Sequence, residues 1–308
     1  MKETVERRDF LKLSGSGLVA ATWAARATTV SASAQAPSEK GPRFKKSLKF
    51  GMVKEDLSLL DKFKLLKDIG FDGVELDSPN DLNRNEILDA RDKADFPIPG
   101  VIDSVHWRKT LSDPDANVRR EGLEGLKTAL RDAKAYGSTT VLLVPAVVNA
   151  DVAYDVAYKR SQAEIRKALP LAEELGVRIA LENVWSHILM SPMEMARYID
   201  EINSPWVGAY FDIGNVVNYG WPEHWVRVLG PRIFKLDIKE YSREKRDKEG
   251  PFAGFRVKLR EGDVDWPAVR NALSLIGYKG WASAEVRGGD RTRLQEISER
   301  MDQVLDLA

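Results

Sequence analysis

The stretch YDVAYKRSQAEIRKALPLAEELGVRIALE, residues 154–182, contains one complete unit of the pattern that decides the fold. Residues 154–175 have the periodicity of an amphipathic helix, and Gly176, a residue type that commonly ends helices, follows them. The apolar run at residues 177–182 comes next and ends in Glu182, as expected of a buried parallel strand with an acid at its carboxyl end. A helix followed by such a strand predicts an α/β fold.

The same alternation of strand and helix continues through most of the chain. Eight such units within residues 47–308 favour a single-domain (β/α)8 TIM barrel over an open doubly wound sheet. No G-x-G-x-x-G motif follows a predicted strand, so a dinucleotide-binding fold is not indicated. The long segment at residues 240–262 is predicted to form a lid over the carboxyl ends of the strands. The strands are predicted at residues 48–53, 73–76, 99–105, 139–144, 177–182, 206–212, 233–238 and 280–286.

Residues 1–36 have the features of an export signal. Arg7-Arg8 precedes Phe10 and Leu11, a mildly apolar stretch follows, and an Ala-x-Ala sequence stands at residues 32–34. This order is typical of a twin-arginine signal peptide, so we expect the twin-arginine machinery to export the protein to the periplasm or beyond the cell. The apolar stretch is shorter than the ~20 residues of a membrane span, so no stable membrane anchor is expected. Residues 37–46 are predicted to be a linker.

The composition excludes several classes of function. The 308 residues include 47 Lys and Arg, 47 Asp and Glu, three His and no Cys. Nucleic-acid binding is not expected, because it requires a surplus of positive charge. Without cysteine there is no disulfide, no zinc–cysteine site and no cysteine nucleophile. Since His106, His187 and His224 are the only histidines, a metal site would consist mainly of carboxylates.

Acidic residues end several predicted strands, where the active sites of TIM barrels lie. They are Glu75, Glu182, Asp212, Asp237 and Glu285. Isolated carboxylates in the dry interior of a barrel are costly unless they are protonated or bind a cation. One divalent ion bound by the last four accounts for them, and an all-oxygen set favours Mn2+ or Mg2+. Each acid alone is also compatible with a helix cap or a salt bridge, notably Asp237 between Lys235 and Lys239.

Several segments resemble one known family. LENVW at residues 181–185, YFDIGNV at 210–216 and EGDVDW at 261–266 are similar to the xylose isomerase-like TIM barrels usually labelled sugar phosphate isomerase/epimerase. The resemblance, which LSDPD at 111–115 and SAEV at 283–286 extend, covers nearly all of the chain after the linker. It implies a divalent metal held by Glu, Asp, His and Glu. Carried over, Glu182 and Glu285 are the catalytic acid/base pair and also metal ligands, and Asp212 is a metal ligand.

One position departs from that family pattern. The family usually has Val-His-x-Lys-Asp at strand seven, whereas this chain has Leu236-Asp237-Ile238-Lys239-Glu240, so Asp237 stands at the histidine position. An aspartate there could hold Mg2+ or Mn2+ with one additional negative charge, which would bind the ion more tightly and weaken its Lewis acidity. Alternatively, the site is degraded and the protein only binds sugar.

Further residues near the strand ends are predicted substrate contacts. The indole of Trp107 could provide an apolar platform for a sugar ring. Asn215 stands where the ketose epimerases of the family often have a histidine, and Arg243 corresponds to an arginine of those enzymes. The predicted contacts are Glu75, His106, Trp107, Trp185, Asn215, Lys239 and Arg243.

These features predict a metal-dependent sugar isomerase or epimerase that acts through an enediolate. The metal would polarise a carbonyl group so that a glutamate can remove the neighbouring proton. A free or oxidised (keto) sugar is the expected substrate, because phosphorylated sugars are held in the cytoplasm. Two alternatives remain: a 3-keto-glycoside lyase or hydrolase that uses the same enolisation, and a non-catalytic sugar-binding barrel. The sequence is compatible with a homo-oligomer.

Overall fold

A parallel sheet of eight strands forms the centre of the fold in the computed structural model, which describes residues 44–307. The strands are hydrogen-bonded in the order β1-β8-β7-β6-β5-β4-β3-β2. Between β1 and β2, Glu75 N donates to Leu48 O and Phe50 N donates to Glu75 O, both at 2.9 Å. These bonds close the sheet into the predicted (β/α)8 barrel. The strands are β1 (Phe44–Leu48), β2 (Leu76–Ser78), β3 (Gly100–Asp103), β4 (Thr140–Leu143), β5 (Arg178–Glu182), β6 (Val207–Asp212), β7 (Ile233–Ile238) and β8 (Gly280–Ala284).

The helices surround the sheet and bury their apolar faces against it, so the main core lies between strands and helices. Gly137 and Gly176 end the third and fourth helices with φ angles of 80° and 66°, as the sequence predicted. The helices are α1 (Leu59–Asp68), α2 (Arg84–Ala94), α3 (Ala116–Tyr136), α4 (Tyr154–Leu175), α5 (Pro192–Ile202), α6 (Ile213–Val217), α7 (Pro222–Leu229), α8 (Arg243–Glu249), α9 (Trp266–Leu275) and α10 (Arg291–Leu305).

The first strand lies earlier in the chain than residues 48–53, where the sequence predicts it. β1 spans Phe44–Leu48, so it includes the last residues of the predicted linker, and Phe50–Met52 form a short 3-10 helix. Three of the five residues of β1, Lys45, Lys46 and Ser47, are polar although only Lys45 is exposed, which conceals the apolar pattern of a buried strand.

The segment at residues 240–262 contains α8 and a 3-10 helix at Pro251–Phe255. Ser242 N donates to Gly254 O at 2.8 Å, which joins the two ends of this segment. We refer to residues 240–262 as the lid segment, because it follows β7 at the carboxyl end of the barrel.

The N-terminal region lies mostly outside the described residues. This holds for the predicted signal peptide at residues 1–36 and for residues 37–43 of the predicted linker. Within residues 44–307, no helix combines the length and the apolar character that a membrane span requires.

Candidate metal centre

Four acids that the sequence predicts as metal ligands converge at the carboxyl ends of neighbouring strands. Glu182, Asp212 and Asp237 end or nearly end β5, β6 and β7, and Glu285 directly follows β8. Asp212 and Asp237 are paired in register across the sheet. One carboxylate oxygen from each of the four acids lies within 4.8 Å of all the others. This geometry allows the four side chains to share one cation.

The two aspartates and the two glutamates differ in what they face. Glu182 and Glu285 line a cavity of about 350 Å³ at the mouth of the barrel. Asp212 and Asp237 are fully buried and do not line it. The aspartates can therefore contact a shared cation from inside the protein, while the glutamates can reach both that cation and a molecule in the cavity.

Burial alters the proton affinities of these acids. It raises the pKa of Glu182 well above the ordinary value, and the neighbouring Glu285 and Asp237 add to the effect. It also raises the pKa of Asp237, against the attraction of Lys49, and raises that of Asp212 to about 6, against Lys239. The pKa of Glu285 is lowered despite burial, because Lys239 and Lys49 stabilise its charge. Without another cation, protons therefore neutralise part of this cluster, and a bound metal would displace them.

Lysines lie among the acids as counter-charges. Lys239 Nζ is 2.8 Å from Asp212 Oδ2 and 2.9 Å from Glu285 Oε2, an ion-pair arrangement rather than a position exposed in the cavity. Lys49, which the sequence analysis did not single out, pairs with Asp237 and Glu75. Buried Lys235 also pairs with Glu75. The sequence gives no signal for these pairs, because lysine is a residue type expected at the surface.

The charge of the ion-pair network around the cluster suits a single divalent cation. The four clustered acids and Glu75, together with the three lysines that pair with them, have a net charge of two negative when all are ionised; Asp77 and Asp103, which line the cavity, are not part of this network. Asp237 is completely buried, and neither of its carboxylate oxygens has a hydrogen-bond partner within residues 44–307, although Lys49 Nζ lies 2.9 Å from Oδ1. Buried unpaired carboxylate oxygens and an all-oxygen donor set fit a hard divalent ion such as Mn2+ or Mg2+.

Glu75 does not line the cavity, and it directly precedes β2 (Leu76–Ser78) rather than ending the second strand as predicted for residues 73–76. Its side chain is 1% exposed and accepts a hydrogen bond of 2.8 Å from the hydroxyl of Tyr210. Lys235 and Lys49 overcome the effect of burial and lower its pKa to about 2. The predicted substrate contact thus has its oxygens engaged inside the protein. Asp77, two residues later and therefore on the same face of the strand, lines the cavity instead.

His106 and Trp107, two of the predicted substrate contacts, line the cavity. The Nδ1 atom of His106 accepts a hydrogen bond of 3.2 Å from Val144 N, and burial lowers the pKa of this histidine to about 4. The imidazole is therefore neutral at pH 7, and its proton is on Nε2. Trp107 is 51% exposed, so its ring is available to a ligand.

Trp185, Asn215 and Arg243 support the site from outside the cavity. Trp185 Nε1 donates to Asn215 O at 2.8 Å, and Asn215 N donates to Asp212 Oδ1 at 2.7 Å. Arg243 Nε donates to Val217 O at 3.0 Å, and Nη2 donates to a second backbone carbonyl. These contacts orient an acid of the cluster and tie the lid segment to the segment after β6, and the roles of the three side chains as substrate contacts stay predictions.

Together, the barrel and the converging acids define a TIM-barrel protein with a candidate divalent-metal centre at the carboxyl ends of its strands. The chain belongs to the xylose isomerase-like TIM barrel family, whose model matches residues 63–306. The family resemblance predicted from the sequence is thereby confirmed.

Relatives of this chain include several epimerases. It is 29% identical over 242 residues to L-ribulose-5-phosphate 3-epimerase UlaE of Escherichia coli (strain K12). The matched region covers 72% of this chain and 79% of the relative. The fold matches 3-keto-D-glucoside 4-epimerase YcjR from E. coli with a TM-score of 0.70 at 18% identity, over 85% of this chain and 98% of the other. It also matches the IOLI protein with a binding zinc atom, with a TM-score of 0.71 at 18% identity, over 86% and 99% of the two chains. The predicted class of sugar isomerases and epimerases agrees with the named activities of the two epimerases.

Proposed function

We propose that this protein is a metal-dependent sugar isomerase or epimerase that acts on a free or oxidised (keto) sugar. The observation that carries the proposal is the convergence of Glu182, Asp212, Asp237 and Glu285 within 4.8 Å at the mouth of the barrel. The epimerase activities of relatives in the same family support it.

The four acids would hold the ion, Mn2+ or Mg2+. Such an ion polarises a carbonyl group of the substrate and stabilises the negative charge that develops on its oxygen. Because Asp212 and Asp237 are fully buried and do not line the cavity, their role is limited to holding the ion. Lys239 and Lys49 neutralise part of the acidic charge and keep the carboxylates from repelling one another.

Glu182 and Glu285 are the proposed acid/base pair. Both line the cavity, so one can remove the proton beside the carbonyl group while the other returns a proton. In the metal-free protein the pKa of Glu182 is raised and that of Glu285 is lowered, so the two glutamates differ in proton affinity, as an acid/base pair requires. Return to the opposite face of the same carbon gives an epimer, and return to the neighbouring carbon gives an aldose–ketose isomer.

The cavity suits a polar molecule of sugar size. A volume of about 350 Å³ falls within the range of small-ligand sites. His106 Nε2–H can donate to a hydroxyl group, Asp77 can accept from one, and the ring of Trp107 can pack on the apolar face of a sugar. The twin-arginine pattern of the sequence supports export, and hence an unphosphorylated substrate.

Deuterium incorporation tests the function. The purified barrel is incubated with Mn2+ and a panel of ketoses, aldoses and 3-keto-glycosides in D2O, and products are followed by NMR. An isomerase or epimerase incorporates deuterium beside the carbonyl and releases no aglycone; release of an aglycone would instead identify a lyase. Glu182→Gln should lower turnover at least 100-fold, whereas the exposed helix variant Glu173→Gln serves as a control. No metal-dependent exchange with any sugar would contradict the proposal.

A further inference from the structure

We propose that Lys49 is a positioning residue of the metal centre, which balances the charge of Asp237 and leaves that aspartate a single oxygen for the cation. This inference deepens the proposed function and rests on it. Lys49 directly follows β1, near the start of the described chain, and its side chain contacts the acidic cluster to which Glu285 contributes from the end of β8.

The chain places Lys49 with little freedom to move. Lys49 directly follows β1, its backbone N donates to Ala284 O at 3.3 Å, and it forms a parallel bridge with Glu75. Its Nζ lies 2.9 Å from Glu75 Oε2, 2.9 Å from Asp237 Oδ1 and 3.3 Å from the Tyr210 hydroxyl. Two of the three ammonium donors make hydrogen bonds to Glu75 and Tyr210, and the contact with Asp237 Oδ1 is an ion pair. Lys49 also lines the cavity, so the test below measures metal affinity, which a contact with substrate alone would not change.

The charge of Lys49 is directed to Asp237 because its other acidic partner is already neutralised. Glu75 also pairs with Lys235, which is buried. The third lysine, Lys239, pairs with Asp212 and Glu285 instead. Within residues 44–307, Lys49 is the only cation at ion-pair distance from Asp237.

This pairing has a consequence for the metal. Lys49 forms an ion pair with Oδ1 of Asp237, whereas the buried Oδ2 has neither an ion pair nor a hydrogen bond among the described residues. Asp237 can thus offer one oxygen rather than chelate through both. The site, with a net charge of two negative, would have a charge of one negative if Asp237 were replaced by a neutral ligand while Lys49 stayed. Removing the charge of Lys49 as well would restore the balance.

Mn2+ affinity measured by calorimetry tests this charge balance. Asp237→His should weaken Mn2+ binding at least tenfold, because the ammonium of Lys49 then repels the ion without a carboxylate beside it. Adding Lys49→Gln, which keeps a hydrogen-bond donor and removes the charge, should return the affinity to within threefold of the unsubstituted protein. Adding Lys49→Arg, which keeps the charge, should not restore it. The same series with Asp237→Asn provides a second neutral ligand in case the imidazole disturbs the fold.

The outcomes separate this inference from the proposed function. If the unsubstituted protein binds Mn2+ but Lys49→Gln fails to restore affinity in both neutral backgrounds, the role of Lys49 is refuted and the metal centre stands. Equal recovery with Lys49→Gln and Lys49→Arg also refutes it, because charge would then not be the cause. If the unsubstituted protein binds neither Mn2+ nor Mg2+, the metal centre itself is wrong, and the inference is wrong with it.

Discussion

Glu240 should hold the lid segment against the barrel, and its replacement should measurably destabilise the protein. Its side chain is buried and accepts four hydrogen bonds. Oε1 accepts from Tyr241 N at 3.3 Å and Val264 N at 3.1 Å; Oε2 accepts from Arg260 N at 2.8 Å and Trp266 Nε1 at 2.9 Å. All four partners are donors, so a carboxylate is the side chain that satisfies them all.

The magnitude follows from counting those bonds. Glu240→Gln keeps the shape, but its NH2 group must face two of the donors, so two bonds are lost. At about 1 kcal/mol for each lost bond, the free energy of unfolding should fall by about 2 kcal/mol. Glu240→Ala loses all four bonds and should cost about 4 kcal/mol.

Urea unfolding followed by circular dichroism measures these changes, with limited proteolysis to show whether residues 240–262 open first. The control is Glu244→Ala on the same lid segment, where an exposed acid pairs only with Lys248 and its loss should leave stability nearly unchanged. If Glu240→Gln unfolds at the same urea concentration as the unsubstituted protein, the reasoning from donor and acceptor geometry is refuted.

Three further predictions concern the cation, the cavity and the N-terminal segment. Burial raises the pKa of Asp212 to about 6, and it raises those of Glu182 and Asp237 well above their ordinary values, so protons should compete with the ion in acid. Mn2+ affinity measured by calorimetry should therefore fall at least about fivefold from pH 6 to pH 5, and a constant affinity would contradict this assignment. Trp107→Ala should raise KM for the sugar about fivefold, and an unchanged KM would exclude a sugar contact. Since the ring is half exposed, the same substitution should change the free energy of unfolding by less than about 0.5 kcal/mol. Replacing Arg7 and Arg8 by lysine should abolish export in cell fractionation, with Lys12→Arg as the control; normal export would contradict the twin-arginine interpretation.

The acids of the site could be predicted from the sequence because each one ends an apolar run. Periodicity locates the strands, parallel strands bring their carboxyl ends to one edge, and this geometry alone brings Glu182, Asp212 and Asp237 together. β1 was misplaced for a related reason, since Lys45 and Ser47 interrupt its apolar pattern. Helix α2 was not predicted individually, because few of its residues are buried and its apolar stripe is narrow.

The lysines and the role of Glu75 could not be predicted in this way. Two charged side chains meet inside a barrel only if they lie at the same height along the barrel axis. The spacing of residues along one strand does not specify which side chains of the other strands lie at that height. Glu75 and Asp77 occupy the same face of one chain segment, yet the first does not line the cavity and the second does.

The position of Glu75 explains how the acids above it stay in place. Its two oxygens are engaged by Tyr210, Lys49 and Lys235, so its carboxylate cannot rotate without breaking buried ion pairs. Lys49 is fixed by Glu75 in turn, and Lys49 fixes one oxygen of Asp237. Glu75 thus positions Lys49, Lys49 positions Asp237, and Asp237 is a proposed ligand of the metal. A residue that touches neither metal nor substrate can therefore determine the geometry of the ion, and Glu75→Gln should alter Mn2+ affinity although the side chain lies outside the cavity.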